Sequence, residues 1–317
     1  IKFSKKNNIS ILFQNKGVFN EEVIYLFKDI ENVNLIRLNR NVLKKLLNYS
    51  FGGKKVNHLN WLIEKKNIDN KKKYINFLKR FIGIPNYNIF LIFNWGDGST
   101  AELTNYLKDF NIPTVCIHKE GIMSKIFREN YLDILNNNRE RFYGEKLLVY
   151  NEETRQTFLN NNYRNNQIEV VGSVRFDYIH SLLNQNIDQN KIVLFHPSIN
   201  AQLPDLLGKN FNFDWNEIVI NFYETLNKLL SEFSNKKFIL KIKTRDINNI
   251  KKYITGSHKN LILDYSTSSL ELLKNAKTCI GFNTTALLEA AAFGIPAINF
   301  VPDHILNKYS DYIIDYK

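Results

Sequence analysis

CIGFNTTALLEAAAFGIPAINF, residues 279–300, is the stretch on which the fold turns. A short apolar run ends in Gly281-Phe282-Asn283-Thr284-Thr285, an Ala-rich helical segment follows at once, and Gly294-Ile295-Pro296 stops it before another β-rich run. Strand, tight turn, helix, tight turn, strand is the repeating unit of a parallel α/β sheet. The small residues let the helix lie close on that sheet. At its start the hydroxyls of Thr284 and Thr285 converge with backbone N–H groups that lack helical partners, and the helix dipole favours an anion there, a phosphate for example. Glu289, little more than one turn on, lies near the same end, where a carboxylate can accept ribose hydroxyls. In the plainer alternative Asn283 and Thr284 are ordinary helix caps and Glu289 faces solvent.

The same alternation extends in both directions. Short β-branched runs at 9–13, 33–37, 89–93, 114–118, 146–150 and 168–171 form one set, and runs at 192–196, 237–243, 260–263, 278–281 and 297–301 form a second, around a helix expected over 215–233. The pattern predicts an α/β chain with two doubly wound, Rossmann-like sheets, and 317 residues suit two cores. The polar stretch 180–191 predicts the linker, giving an N-terminal domain over 1–185 and a C-terminal domain over 186–317. Residues 38–88 read as a basic amphipathic helix pair, apolar at Leu59, Leu62, Tyr74, Phe77, Leu78 and Phe81. Two readings stay open for the pair: core-packing helices with a solvated charged face, or an edge that meets anionic lipid or a lipid-linked acceptor.

Hydrophobic residues make up 44% of the chain and charged ones 23%, which excludes wholesale disorder. The formal charge of +12 attracts anions, part of it reflecting a general Asn, Lys and Ile bias. Its basic residues are spread out and form no nucleic-acid module, so no nucleic-acid partner is expected. Cys116 and Cys279 sit in apolar strand-like runs and read as buried thiols. No run reaches the roughly 18 apolar residues of a membrane span, and no signal peptide opens the chain. The expected location is therefore the cytoplasm, with peripheral contact at the inner face of the cytoplasmic membrane as the open alternative.

NTTALLEAAAFGIPAI, residues 283–298, resembles the donor-binding signature of GT-B glycosyltransferases. The likeness is to bacterial surface-carbohydrate proteins of the capsule and lipopolysaccharide type, in the clan of Kdo- and sialyltransferases and CDP-glycerol glycerophosphotransferases. It implies two facing Rossmann-like domains with an interdomain cleft, acceptor on the N-terminal one and nucleotide donor on the C-terminal one. VVGSVRFDYI, residues 170–179, is similar to the Gly-Asn-Pro-Arg-Phe-Asp element of that group, with Ser173 and Val174 in place of Asn and Pro. Ser173 and Arg175 are thus expected at the hinge or cleft, the alternative for Arg175 being an Arg-Asp structural clamp.

VLFHPSIN, residues 193–200, resembles the glycerophosphotransferase loop that faces the donor, which implies contacts from His196 and Ser198 to phosphate or base. FILKIKTRD, residues 238–246, stands where relatives carry Lys-Pro-His-Pro; Lys241 keeps the place of a phosphate partner, and Lys243-Thr244 replaces the His-Pro pair. LDYSTSSLELL, residues 263–273, resembles the Asp-Tyr-Ser-Ser region of the clan and offers Ser266, Ser268 and Ser269 to the nucleotide, a plain N-cap at Ser266 or Thr267 being the alternative.

Glycosyl transfer needs a base or nucleophile near the anomeric centre. Asp97, between two glycines in NWGDGST, and Glu120, in HKEGIM after an expected strand, supply one each. Glu120-Gly121 resembles the acidic motif of bacterial sialyltransferases, with Lys119 in place of the first acid. His118 beside it is a proton partner in that reading. No Asp-X-Asp follows a strand and no His or Cys cluster has ligand spacing, so no metal and no cofactor is expected beyond the nucleotide-sugar donor. The resemblance thus implies transfer of a CMP-activated ulosonic acid, such as Kdo or a sialic-acid-like sugar, to a glycan or lipid-linked glycan acceptor. CDP-glycerol-type glycerophosphate transfer and UDP-sugar epimerisation on the same type of fold are the alternatives.

Overall fold

The protein is described by a computed structural model over residues 8–15, 19–56, 67–83, 85–95, 98–119, 124–126, 128, 142–183, 188, 190–197, 215–250, 252–254, 256–314 and 316. It divides into two compact units, residues 1–121 with 129–174, and residues 122–128 with 175–317. The polar stretch expected as the linker lies C-terminal of this division. The helix Val174–Ser181 runs into the start of that stretch, and its Arg175 is bonded within the second unit.

In the first unit the described strands are β1 (Ile9–Asn15), β2 (Val33–Asn39), β3 (Ile89–Ile92), β4 (Thr114–Ile117), β5 (Lys146–Val149) and β6 (Ile168–Val170). They pair in parallel in the order β2-β1-β3-β4-β5-β6. The inner strands β3 and β4 are covered on both faces, which is why they read as near-continuous apolar runs, whereas the edge strands β2 and β6 carry exposed polar residues. Leu12, Phe90, Ile92 and Cys116 pack in the core on one face, while Ile11, Phe13, Leu91 and Ile117 pack in a separate cluster on the other, as a two-residue period requires.

The basic segment folds as the helices Arg40–Ser50 and Ile68–Ile82, each N-capped by an Asn side chain, Asn39 and Asn67. Tyr74 and Leu78 are fully buried, the Tyr74 hydroxyl donates to the Ser99 carbonyl at 3.1 Å, and Lys71 pairs with Glu102 at 3.0 Å. Lys72, Lys73, Lys79 and Arg80 face solvent. These contacts are those of core-packing helices with a solvated charged face. Phe77 is half-buried, Phe81 is exposed, and Leu59 and Leu62 lie outside the described residues. Among the described residues no helix is long and apolar enough to cross a membrane.

The second unit contains β7 (Lys191–Phe195), β8 (Lys237–Lys241), β9 (Leu261–Asp264), β10 (Thr278–Gly281) and β11 (Ala297–Asn299), all parallel, in the order β11-β10-β7-β8-β9. The long helix Trp215–Glu232 covers one face with Val219, Phe222, Tyr223 and Leu226, against Leu194, Phe238 and Leu240. The helix Ala286–Ala292 covers the other face, where Ala286, Leu287 and Ala290 meet Val193, Phe195, Ile239 and Cys279. Burial pushes the Cys279 thiol up to about 12, so it stays protonated and unreactive.

The end of that helix follows from Gly294. Ile295 N donates to the Ala290 carbonyl and Gly294 N to the Ala291 carbonyl, both at 2.9 Å, closing a Schellman motif that needs a left-handed residue; Gly294 has φ 72°. A Cβ added there meets nothing within 4 Å, so a substitution would register backbone strain alone. Gly294→Ala should lower unfolding stability by about 1–2 kcal/mol and Gly294→Asn by clearly less, measured by urea denaturation. Equal costs for both would contradict this account of the turn.

Candidate functional site

The order in which strands are added to the second sheet reverses between β7 and β10, since β8 and β9 are laid down on one side of β7 and β10 and β11 on the other. At such a switch point the loops after the two strands diverge and leave a crevice at their carboxyl ends, the usual ligand position in open α/β sheets. His196 follows β7, and Phe282-Asn283-Thr284 follow β10. Gly281 allows the β10 loop to fold tightly: an added Cβ would stand 2.7 Å from the Thr284 side chain and 3.5 Å from Phe195.

His196 is buried at 8% exposure, with its backbone N–H donating to the Lys241 carbonyl at 3.0 Å. Its Nδ1 lies 3.0 Å from the Tyr223 hydroxyl. Nε2 is buried without a hydrogen-bond partner among the described residues. Burial is the main reason its pKa falls from 6.5 to about 4; Asp246 raises it and Lys243 lowers it. The ring is therefore a neutral imidazole at pH 7.

Around it, Lys241 at the end of β8 is bonded to Asp264 at the end of β9, Nζ to Oδ1 at 3.0 Å. Asp264 also accepts from the Thr267 backbone N–H at 3.0 Å and from its hydroxyl at 2.6 Å. Burial pulls the other way, yet these bonds from Thr267 and Lys241 hold the Asp264 carboxyl below its ordinary range. The expected phosphate partner Lys241 is thus held by a carboxylate in this structure, while Lys243 is exposed. The N-cap of the helix Ser269–Leu273 is Ser268, which accepts from Glu271 N at 3.2 Å, rather than Ser266 or Thr267. Ser266 faces solvent.

Two motifs chosen separately in the sequence meet here. Arg175 Nε donates to Glu289 Oε1 at 2.6 Å, the Ser269 hydroxyl donates to Glu289 Oε2 at 2.9 Å, and Arg175 Nη2 reaches Ser269 Oγ at 3.4 Å. Arg175 and Glu289 side chains are 9% and 7% exposed. A carboxylate this deeply buried needs a cation and a hydroxyl to replace water, and these residues supply both. Arg175 is thus bonded to Glu289, and Glu289 is buried rather than a solvent residue, with its two oxygens taken up by Arg175 and Ser269.

Asn283 has φ 44°, a left-handed conformation that Asn tolerates better than most residues. Its side chain donates to the Tyr312 carbonyl at 2.6 Å and accepts from Ile314 N at 2.9 Å, and Tyr316 donates its hydroxyl to the Thr284 carbonyl at 3.1 Å. Tyr312, Ile314 and Tyr316 are thereby fastened to the β10 loop. Thr284 Oγ1 accepts from Ala286 N at 3.3 Å; Thr285 is exposed and makes no capping bond.

In the first unit His118 is 2% exposed, its ring 5.4 Å from Trp95 and 5.3 Å from Phe158 between centroids. The switch point of that sheet lies between β1 and β3, where the buried Gln14 Nε2 donates to Thr100 Oγ1 at 2.8 Å, a pair the sequence reading passed over. Asp97, Glu120 and Ser198 lie outside the described residues, and Ser173 Oγ is buried without a partner among those described.

Two outcomes follow from these bonds. Glu289→Ala should destabilise the protein by about 3–5 kcal/mol in chemical denaturation, since it removes the carboxylate bonded to the buried Arg175 cation, whereas Arg175→Met with Glu289→Leu should recover much of that loss. For His196 the unfolded imidazole binds a proton that the folded one refuses between pH 6.5 and about 4. Its contribution is fully favourable above pH 6.5 and is lost as pH falls to about 4, at up to about 1.4 kcal/mol per pH unit. Replacing it by Gln should flatten the wild-type acid slope by that amount; parallel slopes would contradict the buried neutral imidazole.

No protein-family model matches the chain, and no curated protein matches its sequence. Solved structures do match. The UDP-GlcNAc 2-epimerase of Methanocaldococcus jannaschii is similar at 13% identity and TM-score 0.56, over 92% of this chain and 83% of that one. The UDP-N-acetylglucosamine 2-epimerase of Rickettsia bellii is similar at 12% and 0.54, over 96% and 82%. The calicheamicin glycosyltransferase CalG4 is similar at 11% and 0.48, over 97% and 82%. At these identities the likeness to the two epimerases speaks to fold alone: two parallel-sheet α/β units of the GT-B type.

Proposed function

We propose that this chain is an enzyme acting on a nucleotide sugar, and within that class a metal-independent glycosyltransferase that moves a CMP-activated ulosonic acid onto a bacterial surface glycan. The observation that carries the reading is the Nε2 of His196 at the switch point of the second sheet, buried and without a partner among the described residues. A donor left without an acceptor in that place is suited to a phosphoryl oxygen of the nucleotide. The hydroxyls of Thr284, Thr285 and Ser266 and the cations Lys241 and Lys243 belong to the same carboxyl edge. In this reading they balance leaving-group charge without a metal ion. Asp97 or Glu120 would serve as base, with His118 behind.

The GT-B fold supports nucleotide-sugar chemistry in general, and the similarity to UDP-GlcNAc 2-epimerases makes UDP-sugar epimerisation the reading to be separated from transfer. Product analysis does so. With a CMP-ulosonic acid, the expected outcome is CMP release that rises when a glycan acceptor is added. Inversion of a UDP-sugar without acceptor would replace transfer by epimerisation, and turnover of CDP-glycerol would replace it by glycerophosphate transfer. His196→Ala should weaken nucleotide binding about 10- to 100-fold, the worth of a hydrogen bond to a charged acceptor. Unchanged affinity, measured by calorimetry, would remove His196 from the site.

A further inference from the structure

We propose that Tyr223 is a positioning residue: its buried hydroxyl fixes His196 as the neutral imidazole that carries its proton on Nε2, so the site meets its ligand's phosphoryl oxygen with an uncharged donor. This rests on the nucleotide reading above for the identity of the ligand, but not for the state of the imidazole.

The assignment follows from counting donors. Tyr223 is 1% exposed, and among the described residues its hydroxyl has a single hydrogen-bond partner, His196 Nδ1 at 3.0 Å. If Nδ1 carried the proton and donated to Tyr223, the phenolic O–H would be buried without an acceptor and Nε2 would be a bare lone pair. With Tyr223 donating instead, the phenol and Nδ1 are both satisfied and one group, Nε2–H, is left for a ligand. Burial above all, with Asp246, Tyr253 and Tyr265, raises the Tyr223 pKa, which keeps the phenol a donor at any working pH. Tyr253 stacks on the Tyr223 ring at 5.2 Å and 13°, holding it from the far side.

The groups that act on His196 come from separate elements. Tyr223 stands on the helix Trp215–Glu232, and Lys243 and the fully buried Asp246 follow β8. Asp246 favours a charged imidazole, while Lys243 and burial oppose it, and the balance lies with the neutral form. An ordinary histidine would bind an anion more tightly as pH falls through its ordinary pKa of about 6.5. Here recognition should not follow imidazole protonation between pH 6 and 8.

Tyr223 has no reach of its own to the ligand in this proposal, so its test reads His196. In protein labelled with 15N-histidine, two-bond 1H–15N spectra without ligand should show His196 neutral and protonated on Nε2 from pH 5.5 to 8. Tyr223→Phe should mix the two tautomers and weaken CMP or UDP binding roughly 2- to 10-fold. An Nδ1–H tautomer or an imidazolium at pH 7 in the wild type overturns the proposal, whether or not the variant folds. So does a Tyr223→Phe protein with an unchanged His196 spectrum. If the tautomer is as expected but neither CMP nor UDP moves the Nε2–H signal, the role of Tyr223 stands and the nucleotide reading falls.

Discussion

Parallel pairing is the constraint on which the rest depends. Strands that run the same way must be joined by crossovers, so every strand of a sheet delivers its carboxyl end to one edge. In the second unit β7 has later strands on both sides, and the chemistry-bearing residues His196, Lys241, Asp264 and Asn283 all fall at or just past those ends. The edge collects polar groups because the strands themselves have no room for them: Val193, Leu194, Ile239 and Leu240 are buried between helices on both faces.

That edge is held by bonds between distant parts of the chain. Arg175 reaches Glu289 across 114 positions, and Ser269 completes the bonding of the carboxylate. This ties the first helix of the second unit to the helices that follow β9 and β10. Tyr312, Ile314 and Tyr316 are bonded to Asn283 and Thr284 in the same manner. Several residues chosen as ligand contacts therefore hold the loops in shape. His196 differs, because its second nitrogen is buried and has no bond among the described residues.

The strands were legible because a doubly covered parallel sheet writes itself as short β-branched runs, and 278–281 is an example whose limits needed no adjustment. Strand ends were read long where a polar residue continues an apolar run: His196 and Lys243 lie beyond β7 and β8. The pairings were not legible, since nothing local in RFD or ALLEAAA names a partner. One signal was available: a lone Glu289 among the small residues of a helix packed on a sheet must be buried, and a buried carboxylate calls for a cation. Tyr223 gave no such signal, being an aromatic at core spacing on a long amphipathic helix.

The claim at the centre of this account is that the folded chain binds a nucleotide. A ligand that binds only the folded state raises its apparent stability, by about 2.7 kcal/mol at a hundredfold excess over Kd. The most direct measurement is a thermal-unfolding panel with CMP, CDP, UDP, UMP and GDP. Stabilisation by CMP is the predicted result, with CDP or UDP redirecting the donor to CDP-glycerol or a UDP-sugar. A folded sample whose unfolding temperature is moved by none of them would contradict the account.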